Sequence, residues 1–191
     1  MAAVTAPPET DYNKLCGQLE EQEIESPGGV ATPQVYGQLL GIYLVQNDLN
    51  NAKFLWKRTP QQIKTANVEL GHLWNVGQKM WQRDFPAIYE AVNREWPEHL
   101  KPVITALTEN TRKRAFLLVS QAYSSISGED LASFMGMPVN EAVDAAVQQG
   151  WQADAQTRMV MPKKPARPID PVLLNEQQLA RLTDFVSFLE N

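Results

Sequence analysis

At 191 residues, with 43% hydrophobic and 20% charged, the chain has the length and composition of a globular protein that buries a sizeable core. A net charge of −5 and a pI near 5.1 argue against nucleic acid or an anionic membrane as the main partner. Cys16 is the single cysteine, so an intrachain disulfide is excluded and a reducing compartment fits. No apolar run approaches the ~20 residues that span a bilayer, and residues 1–9 lack the basic start and apolar core of a signal peptide. Cytoplasm and nucleus are the expected locations.

Residues 1–10 read as a flexible N-terminus. Leu15, Cys16 and Leu19 share one side of a helix from Asp11 to about Glu23, which Ser26-Pro27-Gly28-Gly29 breaks. Thr32 offers an N-cap oxygen and Pro33 suits the first helical position, so Val35, Leu39, Ile42 and Tyr43 define a helix over Pro33–Val45. Gln46 to Leu49 turns the chain, and Asp48 caps a second helix through Ala52, Leu55 and Trp56, closed by Pro60. A related pattern returns later. Leu73, Val76, Met80 and Trp81 make the first face, Gln82 to Phe85 the turn, and Asp84 caps a helix with Ile88, Ala91 and Val92. Paired helices recurring at about 34–40 residues predict a TPR-like solenoid over residues 11–111.

Pro97 and Pro102 each predict a helix start, and Arg112 to Ser125 continues with Ala115, Leu118, Val119 and Ala122 on one face. Ser127, with acids following, begins a short capped helix through Leu131, Ala132, Phe134 and Met135 that Gly136 ends. Pro138 starts another, with Ala142, Val143, Ala146 and Val147 inward, ended by Gly150. Trp151–Asp154 and Arg158–Met161 then flank a polar turn, as a hairpin does. A helix, two short helices and a hairpin predict a winged helix over residues 112–161. Residues 162–174 hold Pro162, Pro165, Pro168 and Pro171 and read as a linker. In 175–191, Asn175 is the expected N-cap of a helix whose Leu179, Leu182, Val186 and Leu189 fall at 3-4-3 spacing, with Phe185 and Phe188 alongside. The expected fold class is therefore all-α with a small β wing.

Catalytic chemistry is absent from this pattern. His72 and His99 stand apart, with no H-x-H or H-E-x-x-H spacing, so no metal site, cofactor site or catalytic residue is expected. Pro27-Gly28-Gly29 is a breaker without a phosphate-binding pattern, and Cys16 reads as inert and buried. Five tryptophans, Trp56, Trp74, Trp81, Trp96 and Trp151, are expected mostly in the core. In the recognition-helix position, Pro138–Gln149 has Glu141 and Asp144 and no Lys or Arg, which suits a protein partner better than DNA. Arg112-Lys113-Arg114, at an expected helix start, and Lys163, Lys164 and Arg167 keep a winged-helix nucleic-acid binder as the alternative. The expected partner-binding residues are Leu179, Leu182, Phe185, Val186 and Leu189 on the last helix, with Arg158 and Val160 on a wing strand read as an open edge.

Beyond the pattern, the strings Pro27-Gly28-Gly29-Val30-Ala31-Thr32-Pro33, Asn50–Arg58, Gly150–Asp154, Thr157–Val160 and Asn175–Thr183 resemble the PCI-domain family. That family is shared by the proteasome lid, the COP-9 signalosome and translation initiation factor three, and the likeness is strongest to its signalosome members. The stretch Pro165–Leu174 is shorter than in animal members. The resemblance implies a non-catalytic scaffold subunit of a complex that strips a ubiquitin-like modifier from cullin-RING ligases. The metal-dependent isopeptidase of that complex resides in another subunit. It also implies winged helices joined edge to edge, C-terminal helices gathered in a bundle, and signalosome subunit three as the neighbour.

Overall fold

Two turns 36 positions apart organise the first half of the computed structural model, which describes residues 12–154, 156–164 and 175–190. At the first, Asn47 takes the left-handed conformation (φ 62°) after helix α2 (Pro33–Gln46), and Asp48 caps α3 (Leu49–Arg58) by accepting from Asn51 N–H at 3.0 Å. At the second, Arg83 (φ 58°) follows α5 (Val68–Gln82), and Asp84 caps α6 (Phe85–Val92) by accepting from Ala87 N–H at 3.2 Å. Both turns satisfy orphan helix-end carbonyls with the same two N–H groups: those of Asn47 and Asp48 reach Leu44 and Tyr43, and those of Arg83 and Asp84 reach Met80 and Lys79. The repeat read from the sequence is therefore a repeat of turn chemistry. A short helix, α4 (Gln61–Ala66), joins the two pairs and has no counterpart in the sequence reading.

Helix α2 is the axle. Tyr36 and the unbroken run Leu39–Val45 are buried, because α1 (Tyr12–Glu25), α3, α5 and α7 (Lys101–Ala122) pack around it. Its approach to α7 depends on Gly41, where a Cβ would lie 2.7 Å from Val103 Cγ1. Thr32 caps α2 weakly, its hydroxyl 3.5 Å from Val35 N.

The region after Pro97 differs from expectation. Pro97 opens a single turn, its carbonyl accepting from Leu100 and Lys101, and no separate helix follows it. Pro102 lies in the first turn of α7, where a missing N–H costs nothing. The helix then runs unbroken for 22 residues, so Arg112-Lys113-Arg114 is mid-helix and not at a helix start. Its N-terminal half supplies Val103, Ile104 and Leu107 to the helical-repeat core, and its C-terminal half supplies Ala115 and Val119 to a second core. Phe85 packs against both.

The second core lies among α7, α8 (Gly128–Met135), α9 (Val139–Gln148) and a three-stranded antiparallel sheet, β1 (Ile126–Ser127), β2 (Gln152–Asp154) and β3 (Met159–Met161). Element order and packing are those of a winged helix. Ser127 caps α8, accepting from Asp130 N–H at 3.0 Å. Gly136 ends it at φ 60°, where a Cβ would fall 2.3 Å from the Tyr89 ring. The sheet order is β1-β3-β2, with Ile126 opposite Val160 on one side and Ala153 opposite Val160 on the other. After the linker, α10 (Asn175–Glu190) forms the last helix. The cap expected at Asn175, the N-terminal residues 1–11 and linker residues 165–174 lie outside the described residues.

Candidate protein-interaction surface

The basic run on α7 is used internally. Arg112 donates through Nε to Met135 O at 3.1 Å and through Nη2 to Gly136 O at 3.4 Å, holding the carbonyl end of α8. Two residues on, Arg114 donates to Val45 O of α2 at 3.2 Å and to Thr111 Oγ1 at 3.3 Å. One helix thus uses two guanidiniums to grip the winged helix and the helical repeats. Burial lowers the pKa of Arg114 from its ordinary value, because the charged form gives up solvent. These arginines are neither a phosphate-binding patch nor a solvated face. Lys113, Lys163 and Lys164 remain exposed, while the outward face of α9 presents Asn140, Glu141 and Asp144.

The wing corrects a second expectation. The sequence predicts an open edge at Arg158–Val160, yet β3 is the middle strand, paired on both sides, with Val160 only 1% exposed. Ile126–Ser127 supplies the unforeseen partner. Arg158 sits in the hairpin at φ 54°, and its carbonyl accepts from Gly128 N–H at 3.0 Å. Asp154 closes the turn by accepting from Gln156 N–H and Thr157 Oγ1, both at 2.8 Å; these bonds pull its pKa below the ordinary carboxylate value. The outer edges of the sheet belong to β2 and β1.

The last helix presents its apolar side chains to solvent. Leu179, Leu182, Phe185, Val186, Phe188 and Leu189 are between 52% and 80% exposed, an apolar face far above what scattered surface residues present. A second apolar surface was missed. Trp81 is 53% exposed, under the ammonium of Lys53 at 4.9 Å from the ring centroid, and Leu117 and Leu118 are half exposed. Together with Leu49, Phe85 and Met80 they line a cleft of about 570 Å³ between α3, α5 and α7, with Arg83 and Arg114 on its walls. The signal lay in Phe116-Leu117-Leu118-Val119. Four consecutive apolar residues sweep most of the way round a helix, so they cannot all face one core. Trp81 and Leu118 were expected inward. The other tryptophans are wholly or partly buried: Trp56 stacks on Trp74 at 5.5 Å, Trp151 on Phe116 at 4.0 Å, and Trp96 is 8% exposed.

Polar groups elsewhere are structural. Glu20 accepts from the Tyr43 hydroxyl at 2.6 Å and lies 3.6 Å from Cys16 Sγ. Glu23 takes a bidentate pair from Arg58 at 2.7 and 2.6 Å, tying α1 to α3. Burial, with Glu20 adding to it, raises the Cys16 thiol to about 11 and disfavours the thiolate nucleophile. Among the described residues no group of three His, Cys, Asp or Glu side chains could hold a metal, and no helix is long and apolar enough to cross a membrane.

Two arginines of α7 thus lock a helical-repeat module to a winged helix, and apolar faces on α10 and around Trp81 are left open. The chain belongs to the CSN8/PSMD8/EIF3K family, whose model matches residues 30–169. It is 57% identical over 190 residues to a Xenopus tropicalis protein named COP9 signalosome complex subunit 8, covering 99% of this chain and 98% of the relative. A Danio rerio protein of the same name is 60% identical over 179 residues (93% and 94%), and an Arabidopsis thaliana one is 38% identical over 154 residues (80% and 77%).

Proposed function

We propose that this chain is a non-catalytic scaffold subunit of a COP9 signalosome, supporting removal of the ubiquitin-like modifier from cullin-RING ubiquitin ligases by the complex. The observation that carries the reading is near-full-length similarity to proteins named as subunit 8 of that complex. The geometry supports it. An exposed seam on α10 fits a helix shared with other subunits, and the outer sheet edges fit backbone pairing with a neighbour. Subunit three is the proposed neighbour, cullin-RING ligases are reached through the complex, and the chain works in cytoplasm and nucleus without a cofactor.

Affinity purification of the tagged chain at native level, with mass spectrometry of what co-elutes, tests the assignment. Signalosome subunits should be recovered in near-stoichiometric amounts, and recovery of none overturns it. The isolated chain, with or without added zinc, should release no modifier from a cullin; turnover would overturn the non-catalytic reading.

A further inference from the structure

Where a winged helix reads DNA, the region around its recognition helix and wing meets phosphate and carries cations. In this chain the crevice between the start of α8, α9 and the sheet, about 890 Å³ in volume, has the opposite sign. Val139 and Val143, four apart on α9, make its apolar floor with Ala153 and Met159 of the sheet. Gly128 brings the start of α8 against that floor: a Cβ there would lie 3.3 Å from Val139 Cγ1 and 3.5 Å from Val143 Cγ2. Three elements each bring one carboxylate to the rim, Glu129 from α8, Asp144 from α9 and Asp154 from the wing. Glu129 and Asp144 are exposed, and neither carboxylate has a hydrogen-bond or ion-pair partner among the described residues. Asp154 spends its oxygens on Gln156 and Thr157, which fixes its place and keeps it charged. Arg158, in the hairpin, is the one cation among the lining residues.

We infer that this crevice docks a basic segment of a partner protein, one that seats aliphatic side chains on Val139 and Val143 and turns Lys or Arg side chains to Glu129, Asp144 and Asp154. Charge decides the class of occupant: three carboxylates against one guanidinium repel phosphate and attract an ammonium or guanidinium. The valines add an apolar anchor, which a purely cationic segment leaves uncovered. The crevice uses side chains, not the backbone of the sheet edges, and is distinct from the seam of α10. The inference does not rest on the signalosome reading.

Titration of the isotopically labelled full-length chain with the peptide Lys-Arg-Leu-Val-Arg-Lys, followed through backbone amides, tests it. Amides of Val139, Val143, Ala153 and Arg158 should shift together, and raised salt should weaken binding. An analogue with Ser-Ser in place of Leu-Val should bind at least ~10-fold more weakly. Glu129→Gln with Asp144→Asn keeps two exposed side chains near their size, so the fold is retained, and it should weaken the peptide at least ~5-fold. Absence of shifts at the crevice, shifts centred on another acidic face, or equal binding of the Ser-Ser analogue each overturns the inference. Unchanged affinity in the double variant does so too. A DNA duplex that perturbs the same amides also overturns it and returns the crevice to nucleic acid.

Discussion

A guanidinium that donates to the last carbonyls of a helix satisfies groups the helix cannot, and its charge suits the negative end of the helix dipole. Arg112 does this for α8, whereas Lys113 beside it points to solvent. Arg112→Leu is therefore expected to cost about 1.5–3 kcal/mol, the range for hydrogen bonds to charged groups. Lys113→Ala should stay within about 0.5 kcal/mol. Urea midpoints at unchanged slope measure both, and equal effects would mean that water replaces the Arg112 bonds. Cys16 makes a pH statement. Its thiol is raised from about 9 to about 11, chiefly by burial and then by Glu20, so the neutral form is the one the fold holds. A raised pKa contributes stability that is present below the unfolded value and lost as pH climbs through the folded one. The midpoint should fall between about pH 9 and 11, and Cys16→Ala should flatten that part of the curve. Tyr89, raised by burial to about 12, continues the fall in both proteins. An unchanged profile in Cys16→Ala would assign the loss elsewhere.

At the scale of elements, legibility followed the range of the interaction. Asp48, Asp84 and Ser127 announced their helices because a cap bonds three residues ahead, and Gly136 because its conformation is local. Strand β1 announced nothing: two residues give no alternation, and their partners lie far along the chain, Val160 34 positions after Ile126 and Met159 32 after Ser127. Missing β1 turned a central strand into an apparent edge. Helix α7 hid behind its prolines, since Pro102 is harmless in a first turn but looks like a break. The corrected topology changes what Val160→Pro reports. Val160 faces a strand on each side and is buried, so proline there removes a ladder donor from the middle of the sheet and should cost about 3 kcal/mol or more. Loss of cooperative melting of the winged helix, seen in backbone amide spectra, is the expected outcome. A native spectrum would mean that the sheet contributes little to that core.

The whole molecule divides its labour between two buried cores and one exposed helix. The first core ends at Leu107 and the second runs from Ala115 to Val160, so neither uses any of the described side chains of α10. The seam of α10 was readable because 3-4-3 spacing is intrinsic to the helix; the cleft was not, because half-buried residues such as Trp81 satisfy a core pattern equally well. Burying Leu179, Leu182, Val186 and Leu189 in a bundle would contribute roughly 6–12 kcal/mol before ordering costs, at about 1.5–3 kcal/mol per side chain. Two carboxylates on that seam lose the apolar contacts of two positions and add desolvation, a loss of about 3 kcal/mol or more. Leu182→Asp with Val186→Asp should therefore weaken assembly at least ~100-fold, since each 1.4 kcal/mol is tenfold. The thermal midpoint of the two cores should move by no more than about 2 °C, because their packing is untouched. Co-purification and calorimetry on one preparation separate the cases. Loss of the complex with an unmoved midpoint places the function of α10 in assembly, whereas a midpoint drop of many degrees would make α10 part of the chain's own core.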